Sequence, residues 1–393
     1  MKPRRLAIVT QDPANFGGVL RLVEYAYRRA KAAGFEPTII HYARFAEHPE
    51  LSASLANIFR GELNFLPKVQ RYEFRGMQSV AIGAYLPEWE PNRIHANRFW
   101  RNELAEFDDF LLVTGSAHTG LPLASLKKPF VAWVSSSVTA DRGERLRSSR
   151  NFLALIERLG MLPVLKSEAR VLNQATSILA VSNDARDQLR RLSNTPTEVW
   201  PFPIDTDRFQ PSELRDSHPR FLFVGRANDP RKRVALFADA CNELHRTTPD
   251  LEFAATIVSS VAAGFPRPSD TNLEVRSGIS DSELIEMYSS STALVLTSEQ
   301  EGLGIAAMEA MACGLPVIST RCGGPETFIE DTISGFFVSN DPRKIAEAMH
   351  TLALNSALRE RMGRAARERI EREFSERAWN LRFEKMLSDL PHS

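Results

Sequence analysis

Short apolar runs, each followed by a stretch with helical periodicity, recur along the whole chain, and that alternation leaves few folds open. It is the pattern of a parallel sheet whose strands are joined by crossover helices. The first run is Arg5–Thr10. It leads through a loop with Gly17-Gly18 into Val19–Ala33, where Leu20, Val23, Ala26 and Tyr27 keep helical spacing. Gly34 ends that helix and Pro37–Ile40 reads as the next strand. Further strands are expected at Phe110–Thr114, Phe130–Val134 and Ser177–Val181. Residues 50–105 keep no single period. An amphipathic Leu51–Leu66 is followed by Lys68, Arg71 and Arg75 and then by Trp89, Phe99 and Trp100, which reads as an insertion packed on the sheet rather than a mobile cover.

Pro201-Phe202-Pro203 has the character of an interdomain hinge, and beyond it the alternation restarts. Strands are expected at Phe221–Val224, Glu252–Val258, Thr292–Thr297 and Pro316–Thr320, with helical stretches Val234–His245, Ser280–Ser289 and Gly304–Cys313 between them. The fold class expected is α/β, with two Rossmann-like units over residues 1–200 and 201–373. Ile345–Met386 is helical and heavily charged. Its last helix, Glu376–Leu387, carries Trp379 and Phe383 at i,i+4 and needs an apolar surface; residues 374–393 are expected to pack back on the first unit.

Composition narrows the function. At 393 residues the chain exceeds the roughly 150 residues of one domain. A formal net charge of zero argues against bulk nucleic-acid binding. The halves differ, however: residues 1–200 hold 27 Lys/Arg against 20 Asp/Glu, +7, and the remainder 22 against 29, −7. Either the first half faces something anionic, such as an acidic acceptor or a phospholipid surface, or two solvated faces differ by chance. Cys241, Cys313 and Cys322 show neither a paired framework nor metal-ligand spacing. Leu6–Val9 is too short for a secretory leader, and no run approaches the ~20 apolar residues of a membrane span. A cytoplasmic protein is expected, at most peripheral on the cytoplasmic membrane face.

Chemistry concentrates between Thr297 and Ile318. An apolar strand stops, a loop turns on Gly302 and Gly304, and a helix begins that Gly314 ends. The unpaired amides and positive dipole of a helix N-terminus suit a diphosphate. Glu301 lies just ahead of the helix and Glu309 about a turn inside it; a carboxylate accepts only, so it suits a polyol and repels phosphate. Phosphate-binding groups are offered by Gly225-Arg226 and, six residues on, Lys232. A forked guanidinium and a point-charge ammonium neutralise a leaving diphosphate as its charge grows.

Together these residues resemble the family 4 glycosyltransferases. The resemblance rests on the two glutamates seven apart by intervening count, the Gly-Arg…Lys element, Cys322-Gly323-Gly324-Pro325-Glu326, Gly17-Gly18, and Pro203-Ile204-Asp205…Phe209. It implies the GT-B architecture, two facing Rossmann-like domains with the active site in the cleft between them. It further implies that Arg226 and Lys232 grip the donor diphosphate, that Glu309 holds the ribose, and that Glu301 contacts the transferred sugar. Backbone amides around Leu303, Gly304 and Ile305, with Gly225, would line the donor, and Gly17 and Gly18 would close over it. The family retains anomeric configuration, usually without a metal, by front-face attack in which the leaving phosphate helps deprotonate the acceptor. No metal and no cofactor is expected. The donor expected is a UDP- or GDP-linked sugar, and the acceptor a glycan, a glycolipid or a small molecule.

Departures from the pattern carry weight. Arg233 stands where many relatives have glycine, so that Arg231 or Arg233 can share the lysine's role. Many relatives end the strand equivalent to Phe130–Val134 with a histidine, where this chain has Ser135; His118, after the preceding strand, offers an imidazole to the same cleft, or is simply a solvated loop residue. Ser259–Gly264 replaces a glycine-rich turn. Gly323-Gly324-Pro325 also reads as a plain turn with Glu326 at a helix start, and Asp205-Thr206-Asp207 as structural rather than metal-binding. Two rivals remain: a non-catalytic sugar-nucleotide-binding subunit, and a sugar-nucleotide epimerase, whose proton-abstracting groups are not evident.

Overall fold

The computed structural model describes residues 3–13, 17–44, 48–55, 66–148, 152–211, 218–259 and 273–391, the side chains of 144–157 excepted. Within them the chain separates into two units, Met1–Trp200 with Asn380–Ser393, and Pro201–Trp379.

The first unit is built on a sheet of eight strands: β1 (Arg5–Thr10), β2 (Glu36–Tyr42), β3 (Val69–Phe74), β4 (Met77–Ile82), β5 (Asp109–Thr114), β6 (Val131–Val134), β7 (Ser177–Ala180) and β8 (Thr197–Val199). Their order is β3-β4-β2-β1-β5-β6-β7-β8, parallel except for the edge hairpin β3–β4. β1 sits at the centre, with Ile8 registered against Ile39 on one side and Leu111 on the other. Leu6–Val9 and Phe110–Val113 are without exposure, as strands covered on both faces must be. The helix Gly18–Ala32 buries Leu20, Val23, Ala26 and Tyr27, the face its periodicity marks.

The second sheet has β9 (Arg220–Val224), β10 (Ala254–Val258), β11 (Leu273–Arg276), β12 (Ala293–Leu296), β13 (Val317–Thr320) and β14 (Gly335–Val338), ordered β11-β10-β9-β12-β13-β14 and parallel throughout. Counted within the unit this is the 3-2-1-4-5-6 order of a dinucleotide-binding fold. Phe223 and Phe237 stack at 5.8 Å in its core beside Cys241, Leu244, Val295 and Met349. The strand order reverses between β9 and β12, and ligands bind outside the carboxyl ends at such a point. In the first sheet the reversal lies between β1 and β5.

Five strands escape the sequence reading: β3, β4, β8, β11 and β14. The hairpin β3–β4 is the instructive case. Its turn is Arg75-Gly76 with both φ angles positive, +50° and +78°, the primed geometry that suits the strand twist. Arginine at the first position hides the usual Asn-Gly or Asp-Gly signal. The hairpin packs on the sheet edge, while residues 56–65 of the amphipathic Leu51–Leu66 segment lie outside the described residues.

The last helix, Glu376–Ser388, divides its aromatic pair. Phe383 is buried against Tyr25, ring centroids 5.2 Å apart, and Trp133, 5.6 Å, within the first unit. Trp379 stays with the second, donating Nε1–H to the Glu373 carbonyl. Asp205 and Thr206 belong to the junction: the Asp205 carboxylate accepts from the Arg208 amide at 3.1 Å, and the Arg367 guanidinium donates to the Thr206, Phe209 and Ala312 carbonyls. No helix among the described residues is long and apolar enough to cross a membrane.

Candidate functional site

The carboxyl edge of the second sheet, at the reversal between β9 and β12, gathers the residues that the sequence singles out there. Gly225 follows β9, its amide donating to the Val258 carbonyl, and Arg226 comes next with half its side chain exposed. A single turn, Pro230–Lys232, then presents the basic triplet; Asp229 caps it by accepting from the Arg231 amide. Asp229 also takes Arg226 Nη2 at 2.9 Å and Arg231 Nη2 at 2.8 Å. Burial opposes its charge, but the Arg231 hydrogen bonds and the two guanidinium charges hold its carboxyl below the usual range.

β12 runs into Thr297–Gly302, which is laced to the basic turn. The Glu299 amide donates to the Arg231 carbonyl at 2.8 Å, and Thr297 Oγ1 to the carbonyls of Lys232 and Arg233, each at 3.0 Å. Lys232 Nζ meets Glu301 Oε1 at 2.5 Å, and Ser298 Oγ donates to that same oxygen at 2.6 Å. Arg233 pairs with Glu299 at 2.5 Å. Arg231 and Arg233, which the sequence offers as substitutes for Lys232, therefore both engage internal carboxylates. The Glu301 backbone in turn pairs with the next strand's loop: its amide donates to the Cys322 carbonyl and its carbonyl accepts from Gly324. Gly324 is required there, because a Cβ would stand 2.4 Å from the Leu303 Cα.

Gly304 takes a left-handed conformation, φ +89°, as the N-cap of the helix Ile305–Ala312. Cap and first turn leave the Leu303, Gly304 and Ile305 amides at the helix start, where no intrahelical acceptor exists. Glu309 lies inside this helix, buried, with Tyr288 donating to its Oε2 at 3.3 Å. Glu326 closes the Gly323-Gly324-Pro325 turn by accepting from the Gly323 amide at 3.0 Å, which matches the plain reading of that motif. Among the described residues no three His, Cys, Asp and Glu side chains converge as metal ligands. Of the Ser259–Gly264 stretch only Ser259 is described; its Oγ accepts from the Ala227 amide at 3.0 Å.

The remaining sequence candidates are in the first unit. Gly17, exposed and extended, caps the helix that begins at Gly18, in the loop after β1. Ser135, half-buried, follows β6, its amide bonded to the Thr114 carbonyl. His118 is neither a solvated loop residue nor an imidazole with an idle nitrogen. It is buried, Nδ1 3.2 Å from Ser116 Oγ and Nε2 3.2 Å from Arg142 Nη2 and 3.4 Å from Glu90 Oε1. Burial pushes its pKa down more than the Glu90 hydrogen bond raises it, so the ring is neutral. Arg142 holds Glu90 bidentately, both contacts 2.6 Å. Burial opposes the Glu90 charge, yet its bonds to His118 and Arg142 hold that carboxyl far below the usual range.

Residues 16–208 match the family model for Glycosyltransferase Family 4, and residues 218–355 the model for glycosyl transferases group 1. The chain belongs to the family 4 glycosyltransferases. It is 29% identical over 229 residues to a D-inositol 3-phosphate glycosyltransferase of Frankia alni, an overlap of 51% of this chain and 56% of that protein. The chain thus spans about half the length of the curated relatives it matches. Among solved structures it resembles sucrose-phosphate synthase of Thermosynechococcus elongatus, with a TM-score of 0.74 and 19% identity over 98% of both chains. It also resembles Anabaena HepE in complex with UDP-glucose, with a TM-score of 0.69 and 15% identity over 98% of this chain and all of that one. These likenesses agree with the fold described, two α/β units on parallel sheets.

In this family 4 member, sequence reading missed Ser298, Glu299 and Tyr288 around the carboxylates, and Glu90 and Arg142 around His118. Ser298 and Glu299 adjoin Glu301 and were within reach. Glu90 and Arg142 meet only through the fold, 52 residues apart, and no local pattern marks either.

Proposed function

We propose that this chain is a retaining, metal-independent glycosyltransferase that moves a sugar from a UDP- or GDP-linked donor to a hydroxyl acceptor. The observation that carries the reading is the pairing of Lys232 with Glu301 at the switch point of the second sheet, on a basic turn whose Asp229 holds Arg226, beside the start of the helix Ile305–Ala312. Half-exposed Arg226 and the helix amides suit a diphosphate, and Lys232 would exchange Glu301 for the phosphate as the donor binds. Glu301, freed of the ammonium but still held by Ser298, would accept from sugar hydroxyls, and Glu309 from the ribose. As the glycosidic bond breaks, both electrons pass to the diphosphate oxygen, Arg226 and Lys232 stabilise that charge, and the departing phosphate takes the acceptor proton. The structure of HepE with UDP-glucose supports this donor class.

The excess of cations in residues 1–200 supports an anionic acceptor, either a phosphorylated small molecule or a glycolipid reached at the cytoplasmic membrane face. The relative named for D-inositol 3-phosphate lends weight to the first. The test is thermal stabilisation by UDP, GDP, ADP and their sugar conjugates, with and without EDTA. One nucleotide should raise stability by about 2.7 kcal/mol at a hundred times its Kd, insensitive to EDTA. Transfer products should then keep the donor's anomeric configuration. Failure of every nucleotide to bind would overturn the reading. The engaged His118 ring favours one second reading, a non-catalytic binding subunit; it predicts nucleotide binding with neither transfer nor donor hydrolysis.

A further inference from the structure

Glu168, on the helix Phe152–Gln174, has no exposed surface, and neither the donor chemistry nor the His118 cluster uses it. Its Oε1 accepts from the amide of Val138 at 2.9 Å, and the amide of Ala117 also faces the carboxylate and favours its charged form. Oε2 is buried without a hydrogen-bond partner among the described residues. The two amides open the segments that follow β5 and β6: the turn Ala117–Gly120 and the helix Val138–Ser148. Gly120 lets the first of these lie flush on the Glu168 helix, since a Cβ there would come within 2.9 Å of Val171. One carboxylate therefore ties together the two loops that leave the carboxyl edge of the first sheet beside its switch point, and between them they carry His118 and Ser135-Ser136-Ser137.

We propose that Glu168 is a positioning residue whose carboxylate holds the Gly115–Gly120 and Ser135–Val138 loops in the geometry that receives the acceptor. The inference rests on the transferase reading above and adds a residue and a pH dependence to it. Burial lifts the Glu168 carboxyl to about 7, against the Val138 and Ala117 hydrogen bonds and the Arg142 charge, which lower it. Charged and titratable groups on the elements packed against its helix are Asp141 and Arg142 from Val138–Ser148, whose Glu144, Arg145 and Arg147 side chains lie outside those described, His118 from Ala117–Gly120, and Glu90 and Arg93 from Glu90–Arg93; Leu121–Ser125 carries none. A carboxyl raised above its unfolded value holds a proton in the folded state that the unfolded chain has lost. Folding stability from this group thus declines as pH rises from the ordinary glutamate range through about 7. A group placed for stability alone would be an apolar side chain. The ionised form, by contrast, makes the stronger hydrogen bonds to the two amides. Stability and acceptor turnover should consequently move in opposite directions across neutral pH.

The test compares the full chain with Glu168→Gln and Glu168→Ala. Expected in Glu168→Ala are faster amide hydrogen exchange in both the 115–120 and 135–140 segments, and an acceptor KM raised about tenfold with nucleotide affinity unchanged. In Glu168→Gln the inflection near pH 7 in kcat/KM for acceptor should disappear, with the value held at the wild type's low-pH level. The inference is overturned if exchange in the two segments is unchanged in Glu168→Ala, or if the inflection survives in Glu168→Gln. A wild type that transfers no sugar would sink the transferase reading instead, and the exchange measurement would still decide whether Glu168 holds the two loops.

Discussion

The two sheets place comparable loops at comparable points of their topology and equip them with opposite electrostatics. At the switch point of the second sheet Arg226 is half exposed, while Lys232 is largely covered and bound to the buried Glu301 one loop away. At the corresponding edge of the first sheet the ions are sunk and mutually satisfied, Arg142 being about nine-tenths covered and shared by Glu90 and His118. The Arg226–Asp229 pair, half exposed on the arginine side, contributes little to folding, so an incoming anion can draw that guanidinium away at small cost. A buried bidentate pair contributes shape, because removing either partner strands the other. On the proposed reading, one edge exchanges partners with a ligand and the other keeps its own.

The comparison breaks most readily at Arg226 and Lys232. Replacing both by alanine should lower kcat/KM for donor by roughly a thousandfold, as loss of preorganised charge on a leaving group does. Normal donor affinity in the double variant, measured by calorimetric titration, would remove these residues from the site.

Arg142→Ala should do the reverse. It leaves Glu90 and the neutral His118 ring without their donor, which should cost the first unit about 3 kcal/mol, read as an earlier transition in urea by first-unit tryptophan fluorescence. Nucleotide affinity should hardly change. If Arg142→Ala unfolds at the wild-type denaturant concentration, the first edge is as exchangeable as the second and the contrast fails.

Within the second edge, Glu301 and Glu309 differ in what already holds them: Lys232 and Ser298 for the first, Tyr288 and the helix interior for the second. Glu309→Gln should weaken UDP or GDP binding about tenfold, the worth of one charge-assisted hydrogen bond. Glu301→Gln should spare nucleotide binding and lower transfer. Identical behaviour of the two variants in titration and turnover would end the division of labour.

What the sequence made legible follows from range. The central strands β1, β5, β9 and β12 announce themselves as continuous apolar runs, and glycine-marked loops after them locate the second site. Edge strands are half solvated and short, so β3, β11 and β14 lack that signature, and Arg75 disguises a hairpin turn. Arg226, Lys232, Glu301 and Glu309 are read from two local stretches. Of the partners that define their state, Ser298 and Asp229 adjoin the residues they hold, whereas Tyr288, 21 residues from Glu309, becomes visible only in the fold. His118 shows the limit most clearly: sequence supplies an imidazole after β5, but the burial that lowers its pKa and its partners Glu90 and Arg142 come only with the fold.

The smallest effect tests a residue at the border between the two kinds of edge. Arg233 has φ +44°, a left-handed conformation that favours glycine, and its side chain pairs with Glu299 while both are about one-third exposed. Arg233→Gly and Arg233→Ala lose that pair equally. They differ in that alanine keeps a Cβ that the left-handed backbone disfavours, by roughly 1–2 kcal/mol, whereas glycine brings a more flexible unfolded chain worth up to about 1 kcal/mol in the other direction. The glycine variant should therefore be the more stable of the two by about 1 kcal/mol in chemical denaturation. Because the Arg233 and Lys232 carbonyls both receive the Thr297 hydroxyl, a relaxed backbone here also loosens the loop that carries Glu301. The glycine variant should then bind nucleotide as the wild type does and transfer more slowly. Equal stability of the two variants would mean that the left-handed turn is not strained, and that arginine stands there for its charge alone.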